Sequence, residues 1–370
     1  MSFLKILVGN QIESIKKGIP IMTSVPKSIK KVLKKYLTSV PNSSVAKSKY
    51  LPQIFEKLTA KKDLEILLAL PNNPKNVAKL LSLSEKEAAI ALRDLYMRGF
   101  IWVEENTEDG PKYCFADVGI LMDSVLFDPK YDKYGDEFFD IWKKYWNEEH
   151  VHMYQLDNTF RVLPVEEVIR GTRVIPYERV SQIIKKARRV AVQRCACRVR
   201  ERRCENPLET CLSFDNLADY VISRDIGHEI SVEEALKIIN KCEDHGLVHQ
   251  TVNSDTPDVI CNCCACCCSF LRSILYYGKK AASVKSRYIS VFDRDKCVNC
   301  EDLLCVEKCN FGGITKRNGR LSINPNMCWG CGLCARTCPK NAVRMKELRK
   351  PSHIPRSGDK AFPIIALKKE

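Results

Sequence analysis

No run of apolar residues in this chain of 370 approaches the roughly 18 that a helix needs to cross a bilayer. The start, "MSFLKILVGNQIESIKKG", has a short apolar stretch but no small-residue cleavage site, so export is not expected. Glycine-rich nucleotide fingerprints are missing too, both G-x-G-x-x-G and the P-loop, and no Ser/His/Asp constellation is recognisable. There are six histidines, and His150 and His152, without Cys, Asp or Glu at ligand spacing, read as surface side chains. These absences leave any chemistry to a bound group or a partner. A chain expected in the cytoplasm has little use for disulfides, so its 20 cysteines predict metal or cluster binding.

The composition, 45% hydrophobic and 28% charged, is that of a globular protein of two or three domains. The formal charge of +15 is uneven, because residues 1–62 carry thirteen Lys against two Glu. Residues 1–50 read as a basic arm, solvated and partly disordered, able to meet nucleic acid non-specifically, an anionic surface or an acidic redox partner. Within it Leu4, Val8, Ile12, Ile15 and Ile19 fall at the spacing of a short amphipathic docking helix. Residues 126–170, acidic and aromatic, read as a helical connector, and 349–370 as a flexible tail with too little apolar pattern to pack.

Residues 51–125 hold apolar helical runs, a capping box at Ser84 and Glu87, a stop at Gly99, and two strand-like runs around a Gly-containing turn. This order resembles the winged helix-turn-helix of MarR-type regulators. The recognition helix that the resemblance implies begins "SEKEAAIALRD", and Glu85 and Glu87 would repel phosphates there. Protein docking suits this unit at least as well as DNA.

Near the C-terminus Cys297, Cys300, Cys305 and Cys309 run C-x2-C-x4-C-x3-C, and Cys328, Cys331, Cys334 and Cys338 run C-x2-C-x2-C-x3-C-P. Residues 288–348 resemble a bacterial-type dicluster ferredoxin domain, and paired zinc sites fit this pattern poorly. The resemblance implies two [4Fe-4S] clusters with crossed ligands, one on Cys297, Cys300, Cys305 and Cys338, the other on Cys328, Cys331, Cys334 and Cys309. The chain departs from the pattern by two extra residues before Cys305 and by Asn310 in place of proline. Longer first loops of this kind occur in ferredoxin-like subunits of oxidoreductase complexes, which implies redox partner proteins.

Residues 171–275 hold ten more cysteines: Cys195, Cys197, Cys204 and Cys211, then Cys261, Cys263, Cys264, Cys266, Cys267 and Cys268 in "CNCCACCC". Helix "YERVSQIIKKA", strand "RVAVQRCACR" and helix "SVEEALKIINKCEDHG" frame them. Neighbouring thiols point in different directions on a regular backbone, so the six cannot share one four-ligand site, and the upstream quartet is the expected complement. Arg194, Arg198, Arg200, Arg202 and Arg203 suit an anionic centre. The module resembles Cys-rich segments joined to ferredoxin domains in proteins of anaerobes, and at least one further Fe-S cluster is expected, with zinc as the alternative. Cys114 and Cys242 read as small buried side chains.

The chain is thus expected to be an α+β multidomain protein: a winged helix-turn-helix, a mixed α/β Cys-rich module and the dicluster domain. Its expected role is single-electron transfer between partners in an anaerobic metabolism. A redox-sensing transcriptional regulator and a cluster-based reductase subunit are the rival readings.

Overall fold

Apolar residues at i, i+3, i+4 and i+7 make a stripe that must be covered. A computed structural model describes residues 25–39, 48–153, 158–169 and 174–355, and in it helix α1 (Lys27–Ser39) buries such a stripe, Ile29, Val32, Leu33 and Tyr36. Lys27, Lys30, Lys31 and Lys34 stay exposed on its other side. This part of the basic segment is therefore docked, because the stripe outweighs the charge. The helix expected at Leu4 to Ile19 lies outside the described residues.

Four helices follow, α2 (Leu51–Leu58), α3 (Lys61–Leu68), α4 (Pro74–Leu81) and α5 (Glu85–Met97), then an antiparallel hairpin of β1 (Ile101–Thr107) and β2 (Gly110–Phe115). The Ser84–Glu87 capping box opens α5. Gly99 turns the chain at φ +86, where a Cβ would lie 2.6 Å from Ser124 Cβ.

The segment after the hairpin is more than a connector. Helices α6 (Val118–Phe127) and α7 (Gly135–Tyr145), with the turn after them, bury Phe138, Trp142, Tyr145 and Trp146. One apolar core runs from Ile29 through these rings to Ile226. His150 is half-buried with its ring 5.6 Å from Tyr145, so it is not a surface side chain; burial, then the Arg200 charge, pushes its pKa down to about 4. His152 is exposed.

The middle of the chain forms a seven-stranded sheet of β3 (Phe160–Val162), β4 (Val190–Arg194), β5 (Glu209–Phe214), β6 (His228–Glu229), β7 (Val248–Val252), β8 (Val259–Cys263) and β9 (Ser283–Val284). Its order is β6-β4-β5-β8-β7-β3-β9, antiparallel except for β3 with β9. Helix α8 (Val180–Lys186) packs its Val180, Ile183 and Ile184 against the sheet's Val190, Val192, Leu212 and Ile260. The strand expected through "CACR" stops at Arg194. Cys195 caps a short helix, α9 (Ala196–Glu201), since "RVRE" consists mostly of good helix formers. Two longer helices follow in this unit, α10 (Asp215–Ser223) and α11 (Val232–Asp244), the second opened by the Ser231–Glu234 capping box, and α12 (Ser269–Tyr276) follows β8.

The C-terminal unit is two similar halves. The first is β10 (Tyr288–Phe292), a Cys loop, α13 (Leu304–Glu307) and β11 (Ile314–Arg317); the second is β12 (Arg320–Ile323), a Cys loop, α14 (Leu333–Arg336) and β13 (Val343–Glu347). Strand β10 pairs with β13 and β11 with β12, so each half closes on the other. The start of the expected tail is tied down: Arg349 Nη1 donates to Ser286 O at 2.6 Å and Ile354 is buried.

Arg224 joins the N-terminal helices to the sheet unit. Its guanidinium is buried between the rings of Tyr96 and Tyr220, at 5.0 and 4.7 Å from their centroids, and donates to Tyr96 O and Tyr220 Oη. Arg224→Ala removes both bonds and leaves a void, so it should cost about 3 kcal/mol. A clearly lower denaturant midpoint is the expected result, and an unchanged one would show that the two parts do not depend on this contact.

Candidate metal centres

The ferredoxin-like unit holds its thiols around two cavities. Cys309, Cys328, Cys331 and Cys334 line one, together with Phe311, Ile314, Ile323 and Trp329. Cys297, Cys300, Cys305 and Cys338 line the other, with Phe292, Leu321 and Val343. The loops match position by position. Asn299, Leu303 and Gly312 in the first half, and Gly330, Gly332 and Asn341 in the second, adopt positive φ and turn the chain around each cavity. The fourth cysteine of each run accepts an amide hydrogen bond from four residues on, Gly313 N–H to Cys309 Sγ and Ala342 N–H to Cys338 Sγ, both at 3.2 Å. Four thiols, an apolar lining and inward N–H donors fit a [4Fe-4S] cluster in each cavity.

The two departures from the regular spacing have visible results. The extra Glu301 and Asp302 are exposed beside the first cavity, and Leu303 takes φ +45 where the second half uses Gly332. Asn310 is an anchor: its Nδ2 donates to Gly246 O at 2.8 Å and its Oδ1 accepts from Ala265 N–H at 3.1 Å. It therefore binds the residue after Cys309 to the middle of "CNCCACCC".

In the central module the ten cysteines separate into two sets. Sγ atoms of Cys204, Cys264, Cys266 and Cys267 all lie within 4.8 Å of one another. The rest form a string of touching thiols, Cys195–Cys197–Cys268–Cys263–Cys261–Cys211. Alternation on β8 explains the division: Cys261 and Cys263 share a face, Asn262 points away, and the turn after β8 carries Cys264, Cys266 and Cys267 toward Cys204. Gln193 Nε2 lies 3.6 Å from Cys211 Sγ and Gln250 Nε2 3.5 Å from Cys268 Sγ, so amide donors flank the string. Cys242 is buried behind the compact set, and burial raises its thiol to about 12; Cys114 is only half-buried, at about 11 for the same reason.

Two arginines compensate charge here. Arg198, nearly fully buried, donates to Asn262 O at 2.9 Å and to Thr210 Oγ1, and faces Cys195, Cys264 and Cys263. Each set contains one depressed thiol: Cys264 through donation from Cys266 and Cys267, then Arg198; Cys197 through Cys195 and Cys268, then Arg200. Arg194 and Arg202 instead pair outward, with Asp132 and with Asp136 and Asp140.

A second link between the units was not foreseeable. Arg336, between Cys334 and Cys338, donates to Glu243 at 2.6 Å; Glu243 bonds His249 at 3.1 Å, and His249 bonds Asn262 at 2.6 Å. All but Arg336 are buried. Burial raises the Glu243 pKa, but His249 and Arg336 hold it below the usual range.

Against known proteins, the family described as "4Fe-4S binding domain" matches residues 321–344. The chain is similar to the pyruvate synthase subunit PorD of Methanothermobacter marburgensis, 39% identical over 55 residues, 15% of this chain and 62% of that one. It is also similar to formate hydrogenlyase subunit 2 of Escherichia coli, 36% identical over 59 residues, 16% and 29% of the two chains. Hydrogenase-4 component A of Escherichia coli is 26% identical over 83 residues, 22% and 40% of the two chains. The matches thus span less than two thirds of each of these relatives. No solved structure matches the chain. The chain carries a C-terminal 4Fe-4S ferredoxin-type domain, and among the described residues no helix is long and apolar enough to cross a membrane.

Asn310→Ala should lower stability by about 1–3 kcal/mol, because it leaves a carbonyl and an N–H between the units without their partner. Limited proteolysis between the sheet unit and the C-terminal unit should speed up while iron content holds. Unchanged proteolysis would show that Asn310 is not the anchor.

Proposed function

We propose that this protein transfers single electrons through two [4Fe-4S] clusters in its C-terminal unit, one held by Cys297, Cys300, Cys305 and Cys338, the other by Cys328, Cys331, Cys334 and Cys309. The observation that carries the reading is the pair of separate four-thiol cavities, each lined by three cysteines of one loop and one of the other. A bound cluster supplies the one-electron chemistry, and the chain supplies position, dryness and N–H donors. Phe311 and Trp329, stacked 5.3 Å apart, keep water from the second cavity.

The relatives named as parts of pyruvate synthase, hydrogenase and formate hydrogenlyase favour an oxidoreductase as the partner, and the 20 cysteines suit a reducing, cytoplasmic and anaerobic setting. The winged-helix-like unit serves as a docking part. Glu85 and Glu87 at the start of α5 and Glu108 on the hairpin are exposed and repel a DNA backbone, while Glu104 and Glu105 pair with Lys112 and Asp109 with Lys75. That charge disfavours the regulator reading. Non-specific nucleic-acid or anionic-surface binding is left to the lysines of residues 1–50.

The central cysteines bind further metal, and a reductase role would rest on them. For the ferredoxin-like unit, Cys309→Ser should damage the cluster built on Cys328, Cys331 and Cys334 and spare the one on Cys297, Cys300 and Cys305. EPR of the reduced protein, with iron and sulfide counts, is the measurement. Loss of the Cys297-side signal instead would overturn the crossed assignment, and a chain that binds no sulfide would end the electron-transfer reading.

A further inference from the structure

The spacing of the thiols separates two kinds of centre. Four ligands around one tetrahedral ion at a metal–sulfur distance of about 2.3 Å stand about 3.8 Å apart. In the compact set Cys204 Sγ lies 3.8 Å from both Cys264 Sγ and Cys267 Sγ, and Cys267 Sγ lies 3.8 Å from Cys266 Sγ. Thiolates on a cubane each bond a different iron and so must stand further apart. The C-terminal unit gives the comparison within the same molecule. Among the described residues the compact set is the one group of three or more Cys, His, Asp or Glu ligand atoms packed within 4.8 Å, and neither ferredoxin-like quartet is that tight.

We propose that Cys204, Cys264, Cys266 and Cys267 bind a single thiophilic divalent ion, zinc or iron, in a closed tetrahedral site. Any polynuclear cluster of the module then belongs to the Cys195–Cys211 string. The inference rests on the reading that the central cysteines bind metal, and it assigns them to two different chemistries. Four protein thiolates leave no open position, as in structural sites. Its place agrees: Cys204 comes from the loop after α9, the other three from the turn after β8, and Asn310 binds Ala265 within that turn. Arg198 faces the set and offsets part of the charge of four thiolates.

The test uses the full chain, purified without oxygen, with metal and acid-labile sulfide counted for wild type and for the double variant Cys204→Ser/Cys266→Ser. One metal ion per chain should be lost with sulfide unchanged and the ferredoxin EPR signals intact; metal analysis tells whether that ion is zinc or iron. The contrasting variant Cys263→Ser should keep the ion. Cys266 is half-buried, so Cys266→His should be accommodated and keep the ion, and Co2+ loaded in its place should show shifted tetrahedral ligand-field bands. Loss of sulfide together with several irons from the Cys204 variant would overturn the single-ion assignment and leave the metal-binding reading standing. Loss of no metal from either the Cys204 or the Cys263 variant would overturn both.

Discussion

Neighbouring side chains on extended backbone point to opposite sides, and the centre of this molecule is organised by that constraint. On β8 it sends Cys261 and Cys263 to one face and Asn262 to the other. The turn then releases Cys264, Cys266 and Cys267 toward Cys204, and Cys268, at the start of α12, returns to touch Cys263 and Cys197. One stretch of eight residues thereby serves two groups of thiols on its two sides. Asn262 carries the other consequence, because its side chain faces the buried His249 and its carbonyl accepts from Arg198.

Thiolates gathered in a dry interior need positive charge beside them, and the choice of arginine follows from chemistry. A guanidinium stays charged when buried and offers five donors in a fixed fork, whereas a buried lysine would shed its proton. Arg198 uses its fork on Asn262, Thr210 and the thiol side, so the same group that offsets charge also fixes β5 and β8. Arg200 lies over the Trp146 ring at 4.3 Å and bonds Ser269 at 3.0 Å, beside Cys197. The aromatic segment after the hairpin is thus one wall of the thiol-rich interior, and its buried rings keep the N-terminal helices and the cysteine module in one core.

What could be read from the sequence was whatever is set locally. Capping boxes at Ser84 and Ser231 are set within four residues, and the structure has both. Ferredoxin spacing is similarly local, because three thiols of each cavity come from one loop. The division of the central cysteines was only half legible: alternation required two directions, but that Cys204 would leave Cys195, Cys197 and Cys211 depended on how α9 and β5 fold back onto β8. The docking of α1 was present as Ile29, Val32, Leu33 and Tyr36, and a count of lysines hid it. His150 reads as a surface side chain because no ligand residues stand at metal spacing around it, whereas Tyr145 and Arg200 approach it from other turns.

Asn310 shows why the relation between the cysteine-rich module and the C-terminal unit is rigid. Proline at that position would fix one backbone angle and offer no side-chain hydrogen bond. Asparagine spends its amide on Gly246 and Ala265, so the residue next to Cys309 also fixes the turn that holds Cys264 and Cys266. Phe311 and Trp329, which line the Cys309 cavity, share a core with Cys263 and Cys268. The segment between β9 and β10 adds to this: Arg287 is fully buried and bonds Glu178 at 2.8 and 2.9 Å and Glu347 at 2.9 Å. A unit held in this way has little freedom to swing, and the Cys309 cavity faces the module. The side left toward solvent is that of Cys297, with Val298 60% exposed and Glu301 and Asp302 beside it. The first cavity is thus the one open to solvent, and the second is the one that shares a core with the central thiols.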